Sequence, residues 1–253
     1  MPTDLRTTNF LGFDLVNATY AQVAAELDRL SREDRLSLVV TPNVDHFVML
    51  RGNESSSETT QRFDRAYQSA TLRLCDSRVL QGLAWLRGVQ LNVITGSDLT
   101  EMLFRGGWLD GRKVALVGGD ESMLADLRAR FPEVDLSQHI PPMGVLDNEP
   151  AIARIEEFLK GGDWHYILFA IGAPRSEIIA HRLMAVEGVR GVAFCIGASI
   201  EFLLGRKARA PKWMQAARLE WAFRLATEPR RLWRRYLLSG PKIIAIVREW
   251  QRS

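Results

Sequence analysis

The sequence predicts an α/β fold: a Rossmann-like, mainly parallel sheet flanked by helices, followed by a helical C-terminal appendage. Three observations carry this. Five short apolar runs alternate with helical patterns, the rhythm of a sheet covered on both faces. The runs are almost unbroken, as strands buried on both sides are. Charge is also divided, with 20 Lys+Arg against 27 Asp+Glu in residues 1–204 and 13 against 3 in residues 205–253. A chain of 253 residues that is 47% hydrophobic and 25% charged suffices for a core domain plus an appendage, and excludes disorder, collagen and coiled coil.

Taken in order, the strand candidates are Leu36–Thr41 (LSLVVT), Leu72–Cys75 (LRLC), Val114–Val117 (VALV), Tyr166–Ala170 (YILFA) and Val192–Ile196 (VAFCI). Between them Tyr20–Leu30, Val79–Leu86, Glu121–Phe131, Ala151–Leu159 and Ser176–Met184 carry apolar residues at three- and four-residue spacing, the mark of one buried helix face. Gly52–Thr60 (GNESSSETT) is polar and of low complexity, and is read as a mobile loop. The division is therefore a core of residues 1–204, expected to fold by itself, and an appendage of residues 205–253.

Cys75 and Cys195 each lie in an apolar run, which argues against a disulfide framework and for a reducing compartment. No Asp-x-Asp pair or Cys/His cluster is present, so neither a metal nor a cofactor is expected. The first residues lack the basic-then-apolar pattern of a secretory signal, and no uncharged apolar stretch approaches the roughly 20 residues that span a bilayer. The basic appendage also holds four of the seven tryptophans, Trp213, Trp221, Trp233 and Trp250. Such a segment calls for an anionic partner, and indole rings favour the boundary between apolar and wet surroundings. At ~100° per residue, Arg230, Arg231, Arg234 and Arg235 form one basic arc, opposed by Leu232, Trp233, Tyr236 and Leu237. This reads as an amphipathic helix ending near Ser239-Gly240-Pro241, with a second apolar segment at Ile243–Trp250.

Ligands of open parallel sheets bind where strands end. Glycine turns follow two strand candidates, at Gly118-Gly119 and at Gly172-Ala173-Pro174-Arg175, where backbone N–H groups could cradle phosphate or simply permit a tight turn. Neither is a Walker loop or a full GxGxxG. Asp76 follows LRLC directly, so it either caps the next helix, a task Ser77 could share, or projects a carboxylate into the crevice. Thr41 and Asn43 flank Pro42 as a substrate clamp or as turn chemistry. His46, among Phe47, Val48 and Leu50, reads as structural.

Considered together, TPNVDH (41–46), Asp76 after its strand, ITGSDL (94–99), VALVGG (114–119), PPMG (141–144), IGAPRSE (171–177), RAPKW (209–213), LEWAFRL (219–225), EPRR (228–231) and RRY (234–236) resemble the WecG/TagA/CpsF glycosyltransferases, from about Phe10 to the C-terminus. The resemblance implies an inverting transfer of sugar from a UDP-sugar donor to a polyprenyl-diphosphate-linked saccharide at the cytoplasmic membrane face, in the synthesis of exopolysaccharide, teichoic acid or common-antigen-type polymers. By that resemblance Asp76 is the base, with Thr41 and Asn43 as its polar partners. The donor and its UDP would meet Gly118, Gly119, Gly144, Gly172, Pro174, Ser176, Glu177 and Gly197.

The appendage arginines Arg209, Arg224, Arg231 and Arg234 are the candidates for the diphosphate charge, with Arg175 and Arg78 next. Asp76-Ser77 replaces the family's Asp-Gly, Asn92-Val93 its Glu-Arg, and Arg175-Ser176 the Lys-Gln of Pro-Lys-Gln-Glu, which leaves glucose, N-acetylmannosamine and its uronate as donor sugars. Anionic inner-leaflet lipid is the further expected partner, nucleic acid is not, and a homo-oligomer stays open. The rival from another class is a non-catalytic nucleotide- or nucleic-acid-binding regulator that uses the basic tail.

Overall fold

A computed structural model describes residues 5–52, 57–211, 213–214, 217 and 219–250, with the side chains of residues 231, 235 and 236 outside that description. A hairpin of β1 (Thr7–Phe10) and β2 (Phe13–Val16) precedes α1 (Tyr20–Leu30). The alternating part follows as β3 (Leu36–Val40), α2 (Val44–Arg51), α3 (Glu58–Ser69), β4 (Leu72–Arg73), α4 (Arg78–Leu86), α5 (Gly96–Arg105), β5 (Lys113–Gly118), α6 (Glu121–Arg130) and β6 (Asp135–His139). A 3-10 turn (Val145–Asp147) then leads to α7 (Glu149–Lys160), β7 (Tyr166–Ala170), α8 (Arg175–Leu183), β8 (Gly191–Cys195) and α9 (Ser199–Leu203). In the appendage lie α10 (Glu220–Thr227), α11 (Pro229–Trp233), a π-helical stretch (Arg234–Ser239) and α12 (Lys242–Glu249).

Six strands form one parallel sheet in the order β4-β3-β8-β7-β5-β6, so the Rossmann-like α/β class is the fold observed. Period-two alternation sends Leu36, Leu38, Val40, Ala193, Cys195, Ile167 and Phe169 to one face and Val39, Val192, Phe194, Tyr166 and Leu168 to the other, where each set meets its own helical layer. After β3 the chain crosses to the first face through α2, and after the neighbouring β8 it crosses to the second through α9. Adjacent strands whose connections diverge leave a crevice between their C-terminal ends, and a site is expected there.

All five expected strands are present, and the structure adds β1, β2 and β6. The polar break is shorter than expected: Ser57 accepts from the Thr60 N–H and starts α3, so Glu58–Thr60 is helical, while residues 53–56 lie outside the described residues. The expected amphipathic helix at 230–239 also changes its winding. It is α-helical only to Trp233 and π-helical over Arg234–Ser239, where each residue turns by less than 100°. Of the residues opposite the arginines, Leu232 is buried whereas Trp233 and Leu237 stand exposed. Among the described residues no helix is long and apolar enough to cross a membrane.

Two sets of contacts bind the appendage to the sheet. At its root, Arg206 pairs with Asp120 (2.9 Å) and Asp126 (2.5 Å) of the α6 region, Lys207 with Glu201 (2.6 Å), and Arg209 with Asp98 and Glu101 of α5. At its far end, α12 buries Ile243 and Val247 in the first-face core. Trp250 there stacks edge-on against Phe10 at 5.1 Å, and its carbonyl accepts from Arg87 Nη2 at 2.7 Å. A chain cut at 204 thus loses part of the core's own packing. Ile243→Ala is expected to cost about 2–4 kcal/mol in urea unfolding, as a truncation inside a packed core does, and Ile244→Ala on the exposed face of the same helix less than about 0.5.

Candidate active site

The C-terminal ends of the parallel strands lie along one edge in the order Asp76, Thr41, Gly197, Gly172, Gly118. Strand β4 is only two residues long, yet its register continues beyond it: the Leu74 N–H donates to Val40 O (2.9 Å) and the Asp76 N–H to Pro42 O (2.8 Å). The Ile94 N–H donates to Cys75 O (2.9 Å) from the other side. Asp76 is thereby fixed beside Pro42 and Asn43.

Beyond this edge is a cleft of about 430 Å³, lined from the core by Asn43, Val44, Asp45, Asp76, Ser77, Arg78 and Val79. The appendage supplies its other wall through Glu220, Trp221, Arg224, Leu237, Gly240, Pro241 and Ile243. Removal from water pushes the Asp76 carboxyl up to about 7; Glu220 and Asp98 raise it too, while Arg224 and a hydrogen bond from the Gly96 backbone oppose the rise. Capping of α4 falls to Ser77, whose hydroxyl accepts from the Leu80 N–H at 3.2 Å, so the Asp76 carboxylate is spared that role. Arg224 donates to Glu220 across one helical turn at 2.7 Å, and its guanidinium lies 5.2 Å from the Phe202 ring centre.

The structure brings together Asp76, Asn43, Arg78 and Arg224 of the residues singled out in sequence. Asn43 faces the cleft while its Oδ1 accepts from the Asp45 and His46 N–H groups (3.0 and 3.3 Å), so it is also the cap of α2. Thr41 sits behind the lining, buried, its hydroxyl donating to Cys195 O at 3.3 Å across the divergence between β3 and β8. His46 is structural, with Nδ1 2.7 Å from the Tyr67 hydroxyl and its ring edge-on to Phe63.

The glycine-bearing turns lie farther along the edge. Gly118 and Gly119 have φ of 109° and 78°, and a Cβ on Gly118 would come within 3.0 Å of the Ala170 carbonyl oxygen. Asp120 occupies the start of α6, accepting from the Met123 N–H at 2.9 Å and pairing with Arg206. The next helix start differs. Pro174 offers no side-chain cap to α8, and Ser176 and Glu177 are buried there with Ser176 Oγ and one Glu177 oxygen making no hydrogen bond among the described residues. Burial pushes the Glu177 carboxyl up to about 7. Gly144 and Gly197 have open space where a Cβ would stand.

Arg209 points to α5 rather than to the cleft lining, and Arg234 stacks over Trp233 at 5.3 Å. Arg231 belongs to α11 by position, and its side chain lies outside the described residues. Among the described residues no three His, Cys, Asp or Glu side chains cluster as metal ligands.

Glu220, the second carboxylate of the cleft, escaped the sequence reading. Its signal was an acid four residues before Arg224 on a helix, the spacing of a favourable pair.

A carboxyl raised by burial is ionised at a cost to the fold. Stability is unaffected below the unfolded-state value near 4, falls as pH rises from there to about 7, and stays reduced above it. Asp76→Asn is expected to raise the melting temperature by a few degrees at pH 8 and to leave it unchanged at pH 4. Ser77→Ala should cost about 1 kcal/mol at both, as loss of a helix cap does.

A strand-end carboxylate, an appendage helix that presents Arg224 and Glu220 to it, and a helix start without a side-chain cap lie along the same sheet edge. The family model of the WecG/TagA/CpsF glycosyl transferases matches residues 8–253. The match takes in the sheet, both walls of the cleft and the appendage, and the chain belongs to the WecG/TagA/CpsF family of glycosyltransferases, enzymes of cell-surface polysaccharide synthesis.

Proposed function

We propose that this enzyme is an inverting glycosyltransferase that moves a sugar from a UDP donor to a hydroxyl of a polyprenyl-diphosphate-linked saccharide, with Asp76 as general base. The observation carrying the reading is the desolvated Asp76 carboxylate facing Arg224 across a cleft that the appendage closes. The acceptor oxygen attacks the anomeric carbon, its proton passes to an Asp76 oxygen, and the anomeric C–O bond to UDP breaks with the electron pair leaving on the diphosphate. A base with a value near 7 suits that task, because about half of it is ionised at neutral pH and it is basic enough to draw off a proton as the bond forms. Negative charge develops on the departing diphosphate, and Arg224 supplies a fixed cation for it without reorganisation.

The donor reading extends along the sheet edge. Strands lie about 4.8 Å apart, so the α8 start, three strands from Asp76, is within reach of an extended nucleotide sugar lying across Gly197. The uncapped N-terminus of α8, with Ser176 and Glu177, suits the donor, and Gly118, Gly119 and Gly144 extend the same rim. Glucose, N-acetylmannosamine and its uronate are the donors to screen.

On the outer side, Trp213, Trp233 and Leu238 are exposed beside Arg230 and Arg234, a combination that suits anionic lipid at the inner face of the cell membrane. The lipid-linked acceptor would be met there. In this reading the core carries the chemistry and residues 205–253 serve as both wall and anchor. Family membership favours the transferase over the nucleotide- or nucleic-acid-binding regulator.

UDP release with a diphosphate-linked acceptor is expected to fall by at least about 100-fold in Asp76→Asn while UDP binding is kept, and wild-type kcat/KM should drop about tenfold per pH unit below pH 7. Turnover should survive chelator, since arginine takes the diphosphate charge. Near-normal turnover by folded Asp76→Asn overturns the assignment. Arg230→Gln with Arg234→Gln should weaken flotation on anionic vesicles by about 1 kcal/mol per charge at low salt, with the difference shrinking as salt rises. Salt-independent loss would place the contact in the apolar residues instead.

A further inference from the structure

We infer that the end of α4, Trp85-Leu86-Arg87, is a lipid-contact surface on the core itself, which meets an anionic bilayer together with the appendage. The inference rests on the reading of this enzyme as one that works at such a surface, and it adds a contact that the basic tail does not supply.

Helix α4 turns Leu80 and Ala84 into the core, and Trp85 and Leu86 fall off that face. They stand 69% and 70% exposed, more than any other described large apolar side chain except Met143. A single exposed leucine needs no explanation, whereas an indole and a leucine side by side at a helix end, both mostly in water, make an apolar point. Neither residue belongs to a core layer or to the cleft lining, so the packing of the fold gives no reason for them.

The neighbouring helix extends the surface. Helices α4 and α12 both begin at the cleft, which Arg78, Val79, Pro241 and Ile243 line, and they end together, where Arg87 Nη2 donates to Trp250 O at 2.7 Å. At 1.5 Å per residue, Trp85 lies about 10 Å along α4 from Arg78. Ile244 on the outer face of α12 is also exposed, as are Lys242 and Arg248.

Charge selects the partner. From Ser77 to Ser97 the chain carries two arginines, Arg78 and Arg87, and no acid, and α12 carries Lys242 and Arg248 against Glu249. An indole and a leucine beside a guanidinium suit a surface that is anionic outside and apolar beneath, which is a layer of phospholipid head groups over acyl chains. A second copy meeting this patch about a two-fold axis would set the same positive charge against itself, which disfavours pairing through it. With one contact on the core and one on the appendage, seating of the first makes the second intramolecular, and the pair fixes a rotation that a single anchor leaves free. The helix pair that lines the cleft at one end then touches lipid at the other.

The test uses the full chain with Leu86→Cys carrying a solvent-sensitive nitrobenzoxadiazole label; Cys75 and Cys195 are buried, so the label goes to the new thiol. On vesicles of phosphatidylglycerol and phosphatidylcholine its emission should move to the blue and be quenched by quenchers carried in the bilayer. Trp85→Ser with Leu86→Ser should lower partition onto those vesicles by at least about tenfold, while turnover of a water-soluble acceptor analogue stays within about twofold. The urea midpoint should hold, since both side chains are exposed. A label that stays in water while the chain floats, or a double serine variant that floats like wild type, overturns the inference. So does a wild-type chain that never floats, and so does a blue shift without vesicles that grows with protein concentration, which marks a second copy as the occupant. The reading of the tail is scored apart: if Arg230→Gln with Arg234→Gln floats like wild type and the label is still in lipid, α4 is the anchor and the appendage is not. The transferase reading has its own measure in UDP release on the soluble analogue, which needs no vesicle.

Discussion

The backbone ladder that continues past the end of β4 is the constraint on which the site depends. A two-residue edge strand is too short to be stable alone, and here it is held by β3 on one side and by the Ile94 N–H on the other. Because the last rung is the Asp76 N–H itself, this residue is placed by main chain, not by side-chain packing. Asn43 on the adjoining strand end is fixed by the same register, and its capping of α2 fixes it a second time. Side chains can then be spent on tuning: a carboxyl that leaves the cap to Ser77 remains open to the cleft, where burial raises its proton affinity and Arg224 of the appendage opposes the rise.

Much of the architecture was legible because parallel strands buried on both faces leave an unmistakable apolar run. YILFA and VAFCI needed no context. What escaped was half-exposed. Strand β6 (DLSQH) lies on the sheet edge with Leu136 as its one buried residue, and the β1–β2 hairpin alternates too briefly to stand out. At the site, the position of Asp76 was readable from the strand before it, while its freedom from capping was not, since Asp76 and Ser77 are both good caps. The partners of Arg209 lie 108 to 112 residues away in sequence, and no local pattern reports a pairing closed only by the fold. Composition alone revealed the basic, tryptophan-rich tail, yet the π winding at Arg234–Ser239 was invisible to an argument that assumed one helical pitch.

The polar economy of the molecule points the same way as its geometry. Asp76 and Glu177 are both carboxyls that burial pushes to about 7, and both lie just beyond strand ends on one sheet edge. Glu177 is buried with one oxygen that makes no hydrogen bond among the described residues, an arrangement that destabilises a fold, whereas away from this edge Arg112–Asp28 and Arg182–Glu156 are paired in the ordinary way. His46, Tyr67 and Phe63 form the counterexample, a buried polar cluster whose bonds are satisfied within the core.

Anchorage at both ends changes how the appendage wall behaves. Residues 206–209 are pinned by ion pairs and residues 243–250 by apolar packing, and the span between them carries Glu220, Trp221 and Arg224. A segment held in this way is never diluted by the solvent. Each opening of the cleft is followed by an intramolecular return governed by a high effective concentration, and much of the entropy of bringing cation and carboxylate together has already been spent in folding.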